Sequence, residues 1–327
     1  MKALVYTGVQ GLDYRDVADP VAAAGELCVA VERVGICGSD MHAFLGHDER
    51  RPAPLILGHE AAGTVIGGEQ HGRRVTVNPL VGCGACPACR AGRDNLCASR
   101  QILSLPPRNG AFAEQVVVPE ANLASVPDGV SFDKASLAEP IACGWHAVRL
   151  GRRVLHEPLA TTRCLVIGGG AIGVGAALAL RANGATEVVL VEPNEVRRRF
   201  LAELGELDVR APERADGSFG LVIDGVGHPA TRAQSTRVVE PGGVVLHIGL
   251  GSAADGLDIR RMTLQEITFI GTYTYTPEDF RATAAAIFDG SLGALGWTET
   301  RTLADGAAAF DDIRHGRNAA PKIVLAP

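Results

Sequence analysis

Four cysteines, Cys83, Cys86, Cys89 and Cys97, fall within fifteen residues, interspersed with Gly82, Gly84 and Gly92. Four thiolates can close tetrahedrally around one ion at about 2.3 Å, and the glycines let the chain curl around it. Because such a shell leaves no position for a substrate, the expected ion is a structural zinc. Two local disulfides are the competing arrangement, but they need an oxidising compartment that nothing else in the sequence supports. A second set begins in Gly35-Ile-Cys37-Gly-Ser39-Asp40-Met-His42 and continues, twenty-two residues after its cysteine, at His59-Glu60. A thiolate, an imidazole and carboxylates can hold zinc and still leave a place for a substrate oxygen, which is the arrangement of a catalytic metal. On residue types alone, a packed cysteine and a satisfied histidine are the better account of Cys37 and His59.

The third constellation is Cys164-Leu-Val-Ile-Gly168-Gly169-Gly170-Ala171-Ile172-Gly173. It is an apolar strand running through G-x-G-x-x-G into a helix, with Glu192 at the end of the strand after that. Gly168 permits the tight turn, Gly170 lets the backbone approach a pyrophosphate, and Gly173 lets the helix lie close to the sheet. The helix start, at Ile172 and its neighbours, offers unpaired N–H groups to phosphate. A carboxylate at Glu192 can accept hydrogen bonds from ribose hydroxyls and repel a 2′-phosphate, so the expected dinucleotide is NAD. Arg197, first in the run Arg197-Arg198-Arg199, either reaches the ribose and tolerates a 2′-phosphate or belongs to a solvated helix face.

These residues need two kinds of scaffold. Up to Val118 the chain reads as short strands (Ala3–Tyr6, Leu27–Val34, Gly63–Ile66, Arg74–Asn78, Ala113–Val118) broken by Gly and Pro, an irregular β domain. From Arg163 strands and helices alternate: Cys164–Gly168, Ala171–Asn183, Glu187–Glu192, Glu195–Leu204, Leu221–Asp224 and Val244–Gly249. That alternation implies a doubly wound parallel sheet, so the fold class is α/β. Ile267–Tyr275 reads as a further strand and Asp279–Phe288 as a helix. Lys322–Leu325 reads as a strand without a local partner, expected to return to the N-terminal domain.

The 327 residues carry 31 Lys+Arg against 37 Asp+Glu, a formal charge of −6, which leaves no basic excess for nucleic acid. No run approaches the roughly 18 apolar residues of a membrane helix, and the first residues lack the apolar core of a signal peptide, so a cytoplasmic protein is expected.

Taken together, GICGSDMH, GHEAAG, the four-cysteine lobe, GAFAE (Gly110–Glu114), LAEP (Leu137–Pro140) and GGGAIG resemble the zinc-dependent medium-chain dehydrogenase/reductase superfamily, most closely its sorbitol and polyol dehydrogenase branch. The resemblance implies a GroES-like β domain over residues 1–140, a Rossmann domain over 141–276, and a helix and return over 277–327. It implies that Cys37, His59, Glu60 and Glu139 surround a catalytic zinc, with either Glu60 or Glu139 its resting carboxylate ligand, Asp40 orienting His59 and Cys143 the competing candidate to Glu139. It makes Ser39 the hydroxyl that takes the substrate proton and His42 the outer end of a relay through the nicotinamide ribose. Two zinc ions per chain, NAD, a small alcohol or ketone substrate and a homodimer or homotetramer follow from it. The edge strand Ile267–Gly271 is the expected pairing surface. Substrate-reading residues are expected on Leu45–Arg51 and Tyr273–Tyr275, where His47, Arg50 and Arg51 either meet substrate or are solvated. The implied reaction is oxidation of a secondary alcohol, of polyol or sugar type, to the ketone. A smaller alcohol, diol or hydroxy amino acid is the alternative, and a nucleotide-binding protein without catalysis the alternative of another class.

Overall fold

A computed structural model describes residues 1–327. Short strands form a sheet in the order Leu123–Ser125, Arg74–Val77, Glu60–Ile66, Glu26–Gly35, Lys322–Ala326, Thr298–Thr302, with Gln115–Pro119 also paired to Glu26–Gly35. The long strand Glu26–Gly35 is the organiser. It runs antiparallel to Glu60–Ile66 with Gly35 opposite Glu60, which sets Cys37, just beyond its end, beside the start of the strand that carries Glu60. The C-terminal strand Lys322–Ala326 comes back to the same end, with Val324 opposite Gly35 and Leu325 opposite Val34. A smaller sheet, Gly11–Asp16, Lys2–Gly8 and Leu55–Ile56, closes the domain.

The second sheet is parallel throughout, in the order Asp208–Arg210, Val188–Val191, Cys164–Ile167, Phe219–Asp224, Val239–His247, Thr268–Gly271. Its strand order reverses between Cys164–Ile167 and Phe219–Asp224, and ligands of such sheets enter at the carboxyl ends beside that reversal. Helix Ala138–Gly151, buried along most of its length, packs on helix Ala171–Ala182 and joins the two units. The boundary expected after residue 140 lies in the first turn of that helix. No helix is long and apolar enough to cross a membrane.

Three expectations change. The segment Ile267–Tyr275 is a strand only over Thr268–Gly271; the alternating Thr and Tyr that follow mimic strand periodicity, but Thr274 has φ 47° and the chain leaves the sheet. Strand Asp208–Arg210 and helix Pro229–Val238 lack an apolar repeat, and the packing of their neighbours, not their own pattern, forms them. Of the three arginines, only Arg199 is solvated, paired with Glu195. Arg198 donates to the carbonyls of Glu192 and Pro193, and Arg197 folds back toward the Glu192 carboxylate.

Candidate metal and cofactor site

Cys37 caps the short helix Gly38–Phe44, and Asp40 sits at that helix's third position. Asp40, fully buried, accepts from the Cys37 N–H at 3.0 Å and, through its other oxygen, from the Gly58 N–H at 3.2 Å. One carboxylate therefore braces both ligand-bearing segments. The same Oδ1 lies 3.6 Å from His59 Nδ1, and Ser104 Oγ lies 3.4 Å from that nitrogen. Engaging Nδ1 leaves Nε2 for a metal, the usual division of labour in a ligating histidine. Burial pushes the Asp40 carboxyl up, but His59, Arg51 and the Cys37 N–H outweigh it and hold it below the ordinary value.

Ligand atoms of Cys37, His59 and Glu60 lie within 4.8 Å of one another. Glu60 is fully buried; its Oε1 accepts from Lys322 Nζ at 2.6 Å, whereas Oε2 has no hydrogen-bond partner. A Cβ at Gly35 would stand 2.0 Å from that Oε2, so glycine there is what admits the carboxylate. An orphaned buried oxygen beside a thiol and an imidazole is a donor set suited to zinc. Glu139 and Cys143 stand outside this group of three. Glu139, 7% exposed, accepts from the Tyr275 hydroxyl at 2.7 Å, and burial pushes its carboxyl up. Cys143 Sγ faces the Glu139 backbone carbonyl at 4.0 Å, and burial holds its thiol well above the ordinary range.

In the lobe, Sγ atoms of Cys83, Cys86, Cys89 and Cys97 also gather within 4.8 Å, with 3.9 Å between Cys83 and Cys89. Tetrahedral zinc–thiolate bonds of about 2.3 Å place sulfurs roughly 3.8 Å apart, so the four gather close to the spacing that one ion requires. None of the eight cysteines is in a disulfide. At the nucleotide turn, a Cβ on Gly173 would stand 1.7 Å from the Gly168 carbonyl, which ties the helix to the strand end. Gly170 faces open space, the room a pyrophosphate needs, and Ala171 and Ile172 begin the helix beside it. Glu192 Oε2 accepts from the Gly169 N–H at 2.8 Å and Oε1 from the Asn194 N–H at 2.7 Å.

The family model of the alcohol dehydrogenase GroES-like domain matches residues 23–128, and that of the zinc-binding dehydrogenase matches 171–289. The L-galactonate-5-dehydrogenase of Escherichia coli (strain K12) is 31% identical over 311 residues, covering 90% of this chain and 89% of that protein. The chain belongs to the zinc-dependent medium-chain dehydrogenase/reductase superfamily. Sorbitol dehydrogenase of Bacillus subtilis (strain 168) is 29% identical over 313 residues, 88% of this chain and 87% of its own. The acetophenone reductase of Geotrichum candidum, solved with NAD, superposes with a TM-score of 0.88 at 26% identity, covering 100% of this chain and 97% of that one. Within the superfamily the dehydrogenase sits in the polyol dehydrogenase-like branch, and it is a zinc- and NAD-dependent oxidoreductase acting on a CH–OH group.

Residue types and spacing in this dehydrogenase did not single out Lys322, Ser104 or Asn95. Lys322 alone left a signal, a lone charge opening the buried strand Lys-Ile-Val-Leu-Ala. Arg51, 5% exposed, pairs with Asp48 and donates to the Ser104 carbonyl, so it is buried away from substrate; Arg50 is exposed but donates to the same Asp48 carboxylate at 2.7 and 2.9 Å.

The cofactor pocket sets a preference. Arg197 Nη1 lies 4.0 Å from Glu192 Oε2 and its Nε is buried without a partner, so the arginine is held by the carboxylate it faces. With Glu192 at the adenine ribose, the place expected for a carboxylate at this strand end, a 2′-phosphate would face its charge. At about 4 Å two unit charges repel by about 1 kcal/mol in water and about 4 at an effective dielectric of 20, and about 1.4 kcal/mol is already tenfold. NAD is expected to exceed NADP by at least about tenfold in kcat/KM. Glu192→Ser should free Arg197 and narrow that ratio, and steady-state kinetics with both cofactors checks it; equal use of the two by the unaltered enzyme would contradict it.

Proposed function

We propose that this dehydrogenase oxidises a secondary alcohol of polyol or sugar-acid type to the ketone, with Cys37, His59 and Glu60 as the resting ligands of the catalytic zinc. The observation that carries the reading is Glu60 Oε2, buried and unpartnered within 4.8 Å of the Cys37 and His59 donors. Zinc, when bound, polarises the alcohol oxygen and lowers its pKa, and NAD accepts the hydride. Ser39 and His42, three residues apart on helix Gly38–Phe44, share a face, and we assign them the removal of the substrate proton and its passage outward. Asp40 keeps His59 in the tautomer that ligates, and the turn Gly168–Gly173 with Ile172 holds the pyrophosphate. Cys83, Cys86, Cys89 and Cys97 hold the second, structural ion. A carboxylate shell is harder than a thiolate one and suits a hydroxyl-rich substrate. The similarity to L-galactonate-5-dehydrogenase supports a substrate that also carries a carboxylate.

Glu139 is assigned to the zinc's surroundings and Cys143 to packing. Glu139→Ala is expected to lower catalytic-zinc occupancy or kcat by at least about tenfold, while Cys143→Ala leaves both nearly unchanged. Zinc analysis with turnover on a panel of polyols, aldonic acids, diols and hydroxy amino acids tests both the assignment and the substrate class. The reverse pattern, or turnover confined to the diols, would overturn them.

Helix Ile259–Leu264 exposes Ile259 and Leu264 just before the sheet's edge strand Thr268–Gly271. That supports pairing of two copies through this edge, in a homodimer or homotetramer. Eight unpaired cysteines suit the reducing cytoplasm.

A further inference from the structure

The four-cysteine lobe reaches the segment that follows the Rossmann sheet's edge strand Thr268–Gly271. Asn95, in the lobe between Cys89 and Cys97 and 3% exposed, donates from Nδ2 to the Tyr273 carbonyl at 2.8 Å. Arg100, whose Nη1 donates to the Cys97 carbonyl at 2.8 Å, sets its guanidinium 4.9 Å from the centre of the Tyr273 ring. Two residues on, the Tyr275 side chain is fully buried and its hydroxyl donates to Glu139 Oε1 at 2.7 Å. Between them, Thr274 holds φ 47° and buries an Oγ1 that has no partner. A β-branched residue in the left-handed region is strained, and such strain persists only where the surroundings over-determine it. Here the surroundings are visible. Asn95 and Arg100 pin the segment on the lobe side, Tyr275 pins it on Glu139, and Thr276 caps the helix Pro277–Phe288. That helix is in turn locked to helix Ala138–Gly151, because Asp279 accepts from His146 Nδ1 at 2.7 Å and from Arg149 Nη2 at 2.8 Å.

We infer that the lobe is a positioning element for the catalytic site: Asn95, assisted by Arg100, holds Tyr273–Tyr275 in the strained conformation from which the Tyr275 hydroxyl fixes the Glu139 carboxylate. The lobe's zinc then serves the reaction by stiffening the segment that carries Asn95 and Arg100. The inference rests on the assignment of Glu139 to the surroundings of the catalytic zinc, and its test separates the two.

The experiment uses the full-length, doubly zinc-loaded protein and follows release of each ion to a chromophoric chelator, beside kcat and KM. Asn95→Ala is expected to speed loss of the faster, catalytic ion by at least about tenfold, the usual cost of losing an outer-shell partner. The slower release from the four cysteines should stay unchanged. Arg100→Met, which keeps the apolar stem and the fold, should act in the same direction by a few-fold. In a Tyr275→Phe background the effect of Asn95→Ala should largely vanish, because the connection it acts through is already cut. Additive effects of Asn95→Ala and Tyr275→Phe would overturn the inference, as would an Asn95→Ala variant that changes only the slow phase. If Glu139→Gln alters neither zinc release nor turnover, the assignment of Glu139 fails and takes the inference with it. If Glu139→Gln is damaging while Asn95→Ala and Arg100→Met are silent, only the lobe's role fails.

Discussion

His59→Ala is expected to abolish alcohol oxidation, with kcat/KM falling at least about a thousandfold, while the protein stays folded and keeps one zinc per chain. Polarisation of the substrate oxygen by a metal supplies several kcal/mol, and at about 1.4 kcal/mol per factor of ten a loss of about 4 gives three decades. The remaining ion is the one in the lobe, whose four cysteines include no residue of the Cys37–His59–Glu60 group. Elemental analysis should find two zinc ions in the unaltered enzyme and one in the variant. A variant that retains both ions and a substantial fraction of its activity would refute the assignment of His59. The two ions should also part company in acid. Burial disfavours the charged imidazole of His59, yet Asp40 and Cys37 beside it outweigh burial and raise its pKa well above the ordinary value. A raised pKa means that the proton competes with the metal from a higher pH downward, and a protonated histidine cannot ligate. In the lobe the thiols are pushed in opposite directions, Cys83 down to about 6 by the Ala85 and Cys86 N–H groups and Cys89 up to about 12 by burial and its neighbouring thiols, so the greater hold on that ion comes from its closed four-thiolate shell. Lowering the pH should therefore release the catalytic ion first and restore it on return to neutrality. Simultaneous release, or the lobe ion leaving first, would contradict this order.

Much of this architecture was legible because it rests on short-range chemistry. The lobe is a spacing of thiols, the nucleotide turn a spacing of glycines after an apolar strand, and the reversal of the parallel sheet follows from alternating strands and helices. The Cys37–His59–Glu60 group was legible only as a set, since Cys37 or His59 alone reads as packing; the register that puts Gly35 opposite Glu60 is what brings its members together. The sequence could not show which carboxylate of Glu60 and Glu139 stands nearer. That depends on Tyr275, which reaches Glu139 only because the chain leaves the sheet after Gly271. Nor could periodicity distinguish Thr272–Tyr275 from a strand, because a turn pinned from outside need not carry turn residues. Arg197 was ambiguous for a related reason. A run of three arginines looks solvated, but a helix points successive residues in different directions, and only Arg197 meets the Glu192 carboxylate.

Lys322→Met is expected to destabilise the protein stripped of its catalytic zinc by about 3–5 kcal/mol, and the zinc-loaded protein by clearly less. Lys322 is 3% exposed, and its Nζ donates to Glu60 Oε1 at 2.6 Å and to the Ile36 carbonyl at 2.8 Å. Methionine replaces the apolar stem but not the charge, so packing changes little while a fully buried Glu60 loses its cation. Without metal, Glu60 must then stay charged and uncompensated or take up a proton, and either costs folding free energy. With zinc bound, the ion itself compensates the carboxylate, which is why the penalty shrinks. Lys322 also supplies the positive charge that a dication ringed by Cys37, Glu60 and Glu139 would lack. Because folding and binding are linked, a smaller penalty in the loaded state means that zinc binds the variant more tightly, tenfold for each 1.4 kcal/mol of difference. Denaturant titration before and after mild chelation, with competition for zinc by a chelator, measures both quantities. Equal destabilisation in the two metal states would reduce Lys322 to an anchor of the C-terminal strand. The decisive arm is Glu60→Gln in the Lys322→Met background without catalytic zinc. Removing both charges of a buried pair is far milder than removing one, so the double variant should regain most of the stability that the single variant lost.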